Sequence, residues 1–232
     1  MIDLPYLYKS NKISSSNKIL LVLPDIFGFN SVNIELFDEL SVLTRYKTFG
    51  LNYFYQITNS SVDLDPETQI QEAIKLMQEF KGEDFIEILN NSVDVLKKEF
   101  TDLVEIVVCG FCFGGRLALL SATNTNVNKI VSFYGAGVHK PDFYANQSVG
   151  QVLENGSRFL KYQEFLCFYG GQDQSITPQE REVTFELLLA QSKSFREIVY
   201  PNVGHAFFNK GRSNFAPEVY DDAVSNLVSF LN

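Results

Sequence analysis

Apolar residues in this chain follow two alternating rhythms. Nearly continuous apolar runs occupy Lys18–Pro24, Lys47–Tyr53, Val104–Cys109, Lys129–Tyr134, Glu164–Tyr169 and Phe195–Tyr200. Runs of this kind predict strands covered on both faces, as in a parallel sheet. Between them the apolar positions recur at helical spacing. Val32–Thr44 carries Ile34, Leu36, Phe37, Leu40 and Leu43 on such a stripe.

Helix starts are marked by capping chemistry. Asp65-Pro66-Glu67 reads as an N-cap, a proline at the first helical position and an early acid, opening a helix towards Phe80. Asp84–Phe100 is a second helical segment, and the turn after Cys112 leads into a helix beginning at Arg116. Thr177-Pro178-Gln179-Glu180 reads as a capping box for a helix through Gln191, and Pro217–Leu231 closes the chain as a helix. Alternation of this sort predicts an α/β fold, a doubly wound and mostly parallel sheet with helices on both faces. With no internal repeat and no low-complexity linker, residues 1–232 read as one domain. Ligand sites in such sheets collect beyond the C-terminal strand ends.

Charge removes one class of partner. Lys+Arg 19 against Asp+Glu 28 gives a net charge of −9, which argues against nucleic acid, whose phosphates need clustered cations. The apolar stretch Ile19–Leu23 ends at Pro24, far short of the roughly 20 residues that span a bilayer. Met1–Pro5 lacks the basic and apolar regions of a secretory leader, so the expected location is the cytoplasm, away from membranes. An odd count of three cysteines does not make a disulfide scaffold. With two histidines and no HExxH pattern, a metal site has too few ligands, and no cofactor is expected.

The scarcity of these residues sharpens the chemistry. After the strand Val104–Cys109 comes Gly110-Phe111-Cys112-Phe113-Gly114-Gly115, a G-x-C-x-G-G turn between a strand and a helix. This is a nucleophile elbow with cysteine in place of serine: a tight, strained turn whose flanking residues must be small. Cys112 at a helix N-terminus is favoured as thiolate, and the Phe113 N–H is a candidate oxyanion donor. Two other readings of Cys109-Gly110-Phe111-Cys112 are a CxxC redox pair and a pair of buried structural thiols. The redox reading leaves Gly114-Gly115 unexplained; Cys109 and Cys167, on strands, read as core.

A cysteine elbow needs a base and an orienting acid. Past the strand Glu164–Tyr169, Asp173 lies in Gly170-Gly171-Gln172-Asp173 ahead of a capped helix. Past Phe195–Tyr200, His205 follows Gly204 ahead of the last helix. Nucleophile, acid and histidine therefore occur in the chain order of hydrolases built on this sheet. Asp173 also has a plain reading as a turn aspartate, and His139 reads as a loop residue. At the end of the first long strand, the loop Pro24-Asp25-Ile26-Phe27-Gly28 offers the Ile26 N–H as the second oxyanion donor.

Taken together, Asp25-Ile26-Phe27-Gly28-Phe29-Asn30, Gly110–Gly115, Gly170–Asp173 and Gly204-His205-Ala206-Phe207-Phe208-Asn209 resemble the dienelactone hydrolase family from the first long strand to the C-terminal helix. The resemblance implies an α/β-hydrolase fold, a Cys112–His205–Asp173 triad, and cleavage of a small ester or lactone through a thioester acyl-enzyme. Three departures stand out. Asp25 occupies the place of a family glutamate that holds the resting cysteine; it is either a shorter counterpart that tunes the nucleophile or a solvated loop acid. Asn209 replaces an arginine that grips a substrate carboxylate, and Lys210 and Arg212 are its possible substitutes, with surface placement the default. The segment before Lys18 is short, so one edge strand is expected to be reduced or lost.

The expected function is a carboxylic ester hydrolase with a small-molecule ester or lactone substrate, acting as a monomer or small homo-oligomer. The alternative from another class is a catalytically silent interaction protein that uses the surplus of Phe and Tyr as an interface. Against it, Cys112, Asp173 and His205 are all retained, and aromatic residues equally fill a core or line a pocket.

Overall fold

The computed structural model of the chain describes residues 4–12, 14–141, 143–156 and 160–232. Met1–Asp3, part of the segment read for a leader, lie outside them. The described chain forms one seven-stranded sheet in the order β1-β3-β2-β4-β5-β6-β7. Its strands are β1 (Leu7–Lys9), β2 (Lys18–Leu23), β3 (Lys47–Leu51), β4 (Glu105–Phe111), β5 (Lys129–Phe133), β6 (Glu164–Gly170) and β7 (Ser194–Tyr200). Only β1 runs antiparallel, pairing Leu7 with Leu51, and its three residues are the reduced edge strand that the short N-terminal segment implied. The apolar runs of β2, β4, β5 and β6 are buried almost throughout, as continuous rather than alternating hydrophobicity requires.

The helices are α1 (Ser31–Thr44), α2 (Tyr55–Thr58), α3 (Ile70–Glu79), α4 (Gly82–Glu99), α5 (Phe113–Leu120), α6 (Val149–Glu154), α7 (Pro178–Gln191) and α8 (Pro217–Leu231). One layer holds α1 and α8, which touch each other; the other is the linked series α4, α5, α6 and α7. This is the doubly wound fold expected.

Three expected boundaries move, each for a local reason. The helix read from Asp65 begins only at Ile70, because the Asp65 carboxylate accepts from the Glu67 N–H and closes a turn instead of capping a helix. Asp84 is the third residue of α4, where it accepts from the Lys81 N–H, so that helix starts at Gly82. The helix after the Cys112 turn begins at Phe113 rather than Arg116. At α7 the Thr177 hydroxyl accepts from the Glu180 N–H, but the reciprocal bond of a full capping box is missing and Glu180 Oε1 has no partner among the described residues.

At the N-terminal ends of the strands, Lys129 Nζ donates to the carbonyls of Phe230 and Leu231 and pairs with Glu105. A cation there satisfies the last carbonyls of α8 and complements its dipole. The opposite ends of β2, β4, β6 and β7 are free to build a site.

Candidate active site

Cys112 stands between β4 and α5 with φ 57° and ψ −117°, a strained conformation for a residue with a side chain. Its N–H donates to the Phe133 carbonyl at 3.0 Å, and its own carbonyl accepts from Gly115 and Arg116. The turn closes only because its neighbours are glycine. A Cβ on Gly110 would lie 1.9 Å from the Gly114 carbonyl oxygen, and one on Gly114 would lie 2.2 Å from that of Pro24. Tyr134 at φ 42° and Ala206 at φ 61° add two more left-handed residues around the same place.

His205 reaches this turn from the loop after β7. Its Nδ1 lies 2.7 Å from Asp173 Oδ2, and hydrogen bonding and charge tie it to Cys112 as well. Asp173 is buried, and its other oxygen accepts from the Ser175 N–H at 2.8 Å, which fixes the carboxylate in the loop after β6. Burial pulls the His205 pKa down, but the Cys112 charge, the hydrogen bonds to Asp173 and Cys112, and the Asp173 charge outweigh it. The net effect raises it to about 10. A carboxylate on Nδ1 sets the tautomer and leaves Nε2 for the sulfur. The N–H groups of Ile26 and Phe113 donate to no other group among the described residues, so both are open to an oxyanion.

Asp25 is not a solvated loop acid. It is 7% exposed. Arg212 donates to Asp25 Oδ2 from Nε at 2.9 Å and Nη2 at 2.6 Å, while Asn33 Nδ2 and the Phe27 N–H donate to Oδ1. Arg212 is not on the surface either: its side chain is 7% exposed, it lies over the Phe27 ring, and Nη1 has no partner among the described residues. Lys210 does stay at the surface, paired with Glu39. Asn209 is buried and donates to Asn33 Oδ1 at 3.1 Å, so Asn209, Asn33, Asp25 and Arg212 form one hydrogen-bonded chain.

Several residues of the site escaped the sequence reading. Tyr53 donates to the carbonyls of Pro24 and Asp25 and so holds the Ile26 loop from below. Tyr134 packs its ring 5.0 Å from that of His205, within electrostatic reach of Asp25, Cys112 and Arg212. Arg116 is buried in the first turn of α5; its one advance signal was a lone charge in the otherwise apolar run FGGRLALL. His139 meets Thr184 Oγ1 at 2.9 Å, away from the triad, in keeping with a loop role.

All three cysteines are free thiols. Cys109 and Cys167 are buried in strands, and burial raises both their pKa values, Cys167 to about 12. Cys112 alone of the three is partly open. Among the described residues, no group of three His, Cys, Asp or Glu side chains stands where it could hold a metal ion. Nor is any described helix long and apolar enough to cross a membrane. Among the described residues, Tyr162 is the only aromatic one of the large exposed hydrophobic side chains, and most of the described aromatic residues pack in or against the core.

The sequence model of the dienelactone hydrolase family matches residues 5–232. A provisionally named carboxymethylenebutenolidase of Yersinia pestis is 24% identical over 233 residues, covering 99% of this chain and 83% of that protein. A carboxymethylenebutenolidase of Pseudomonas putida is 24% identical over 213 residues, covering 92% and 84%. The crystal structure of a provisionally named dienelactone hydrolase from Klebsiella pneumoniae superposes with a TM-score of 0.76 at 21% identity. That superposition covers 92% of this chain and 85% of the other, a likeness of fold.

Proposed function

The chain belongs to the dienelactone hydrolase family and is a carboxylic ester hydrolase; from that premise we propose that it cleaves a small, uncharged ester or lactone through a thioester on Cys112. The observation that carries this reading is Cys112, strained at the elbow and facing a histidine whose other nitrogen is fixed by Asp173 at 2.7 Å.

In the proposed cycle the Cys112 thiolate attacks the carbonyl carbon and a C–S bond forms. The oxyanion sits on the N–H groups of Ile26 and Phe113. As the tetrahedral species collapses, the C–O bond breaks and His205 gives its proton to the leaving oxygen. His205 then takes a proton from water, which attacks the thioester; the C–S bond breaks and the thiolate–imidazolium pair returns. Asp173 keeps the imidazole in register throughout. In this proposal one domain supplies every residue of the cycle, as a monomer or small homo-oligomer, and the cycle calls on no cofactor.

An uncharged substrate follows from the fate of the nearby cations. Asp25 neutralises Arg212 and the protein covers it, so it has no exposed face to offer a carboxylate. Asp25, held by Arg212, Asn33 and Phe27, anchors the Ile26 loop and is not a switch that lets go of Cys112. Asn209 acts through Asn33 as a brace of the same anchor.

A panel of chromogenic esters, lactones and thioesters tests the reading. Cys112→Ala should lose turnover on every one. Cys112→Ser should retain only a trace, since the alcohol is a weaker nucleophile at neutral pH. Undiminished turnover by Cys112→Ala would refute the assignment.

A further inference from the structure

His205 stands in the wall of an open cleft. Three segments meet there: the loop after β6 with Gln172 and Ser175, the loop after β7 from Asn202 to His205, and Asn214 to Glu218, which run into α8. The cleft measures about 460 Å³, within the size range of small-molecule sites. Four of its lining side chains are carboxamides, Gln172, Gln174, Asn202 and Asn214. Gln174 donates to the Gln172 carbonyl at 3.2 Å. The other three carboxamides and the Ser175 hydroxyl make no hydrogen bond among the described residues. Val203, Ala216 and the half-buried Phe215 supply apolar surface. Among the described residues no cation lines the cleft, and its one exposed carboxylate is Glu218.

Gly204 belongs to the same wall and has no packing reason to be glycine. A Cβ there would meet nothing nearer than the Gln172 carbonyl oxygen at 4.0 Å, and its φ is not left-handed. Gly170 differs: a Cβ on it would fall 2.4 Å from the Gly204 carbonyl oxygen. A bare Cα that neither the backbone nor its neighbours require leaves room for a ligand to approach the chain closely, here directly beside His205.

We propose that this cleft takes the alcohol half of the ester, and that this alcohol is a neutral polyol of the sugar type. The inference rests on His205 giving its proton to the leaving oxygen, which puts the alcohol on the His205 side of the bond that breaks. Each carboxamide offers both donors and an acceptor, which matches hydroxyl groups that also give and accept. An apolar alcohol would strip water from these amides and return no hydrogen bond. A phosphorylated or carboxylated alcohol would find no cation in the wall and would face Glu218.

The test compares four acetyl esters in wild type, Q172A/N214A and E218Q. They are para-nitrophenyl acetate, glucose acetylated on its primary hydroxyl, cyclohexylmethyl acetate and acetylcholine. The cyclohexylmethyl ester has a primary alcohol of similar size without the hydroxyls. In wild type, kcat/KM for the acetylated glucose should exceed that for cyclohexylmethyl acetate by about tenfold or more. Q172A/N214A should lose most of that advantage through KM and keep its rate on cyclohexylmethyl acetate, since both side chains are exposed. Equal kcat/KM for the two esters, no cleavage of the acetylated glucose, or a sugar preference that survives in Q172A/N214A would overturn the proposal. So would a preference for acetylcholine that E218Q abolishes, which would make the cleft a cation site. The aryl ester separates this inference from its premise. Undiminished turnover of para-nitrophenyl acetate by Cys112→Ala removes the ester-cleavage mechanism itself. Cys112-dependent turnover of para-nitrophenyl acetate without a sugar preference removes the polyol cleft alone.

Discussion

Asp25 shows how one side chain can serve a reaction without touching it. Its carboxylate takes Arg212 on one oxygen and Asn33 and the Phe27 N–H on the other, with both partners of the ion pair nearly covered. Removing one member of a buried pair strands the other's charge, at a cost of about 3–5 kcal/mol. Asp25→Ala should therefore lose about that much stability in denaturant unfolding, and a loss near zero would show that the pair is not closed in solution. His205 gives a second prediction at this scale. In the proposed cycle its proton goes to the leaving oxygen, so kcat/KM should fall as pH rises through about 10. Asp173→Asn removes a bond and a charge that raise this pKa, so the alkaline limb should move to lower pH; a limb that stays put would contradict the coupling. The sequence pointed to Cys112, Asp173 and His205 because each follows a strand in hydrolase order. It singled out Arg212 only with surface placement as the default and did not reveal Asn33 or Tyr134, since polar residues become a site only through tertiary contacts.

At the scale of elements, the elbow depends on how closely β2 approaches α5. A methyl group on Gly114 would fall 2.2 Å from the Pro24 carbonyl and 2.4 Å from that of Leu23, so one of the two elements must retreat. The Ile26 and Phe113 N–H groups sit on opposite sides of that contact, and an ångström of separation there spoils both. Gly114→Ala should keep its far-ultraviolet circular dichroism but lose about a hundredfold in kcat/KM. Unchanged activity would mean that the two N–H groups do not act together. Strands and long helices were legible because apolar runs and helical stripes are local signals. The short elements α2 and α6 were not, since four to six residues carry too little periodicity. At Asp65 the capping pattern misled, because the carboxylate closes a turn with Glu67 and caps no helix.

Across the whole molecule, charge and aromatic content take their meaning from the fold. The −9 balance argues against nucleic acid as a partner, while the structure adds that Arg116 and the Arg212 side chain are covered. Most of the aromatic surplus lines the interior, where the rings of Tyr53, Phe54, Phe80, Phe113 and Phe143 pack against one another beneath the elbow. Family membership carries ester hydrolysis and the α/β-hydrolase fold, and the proposed function adds Cys112 as the carrier of the acyl group. The most direct measurement is the intact mass of the protein quenched during turnover of an activated ester, with the adduct located by peptide mapping. The account predicts the mass of one acyl group, on Cys112, long-lived in His205→Gln, where water is no longer activated. An acyl group on another residue, or none at any time while product accumulates, would contradict it.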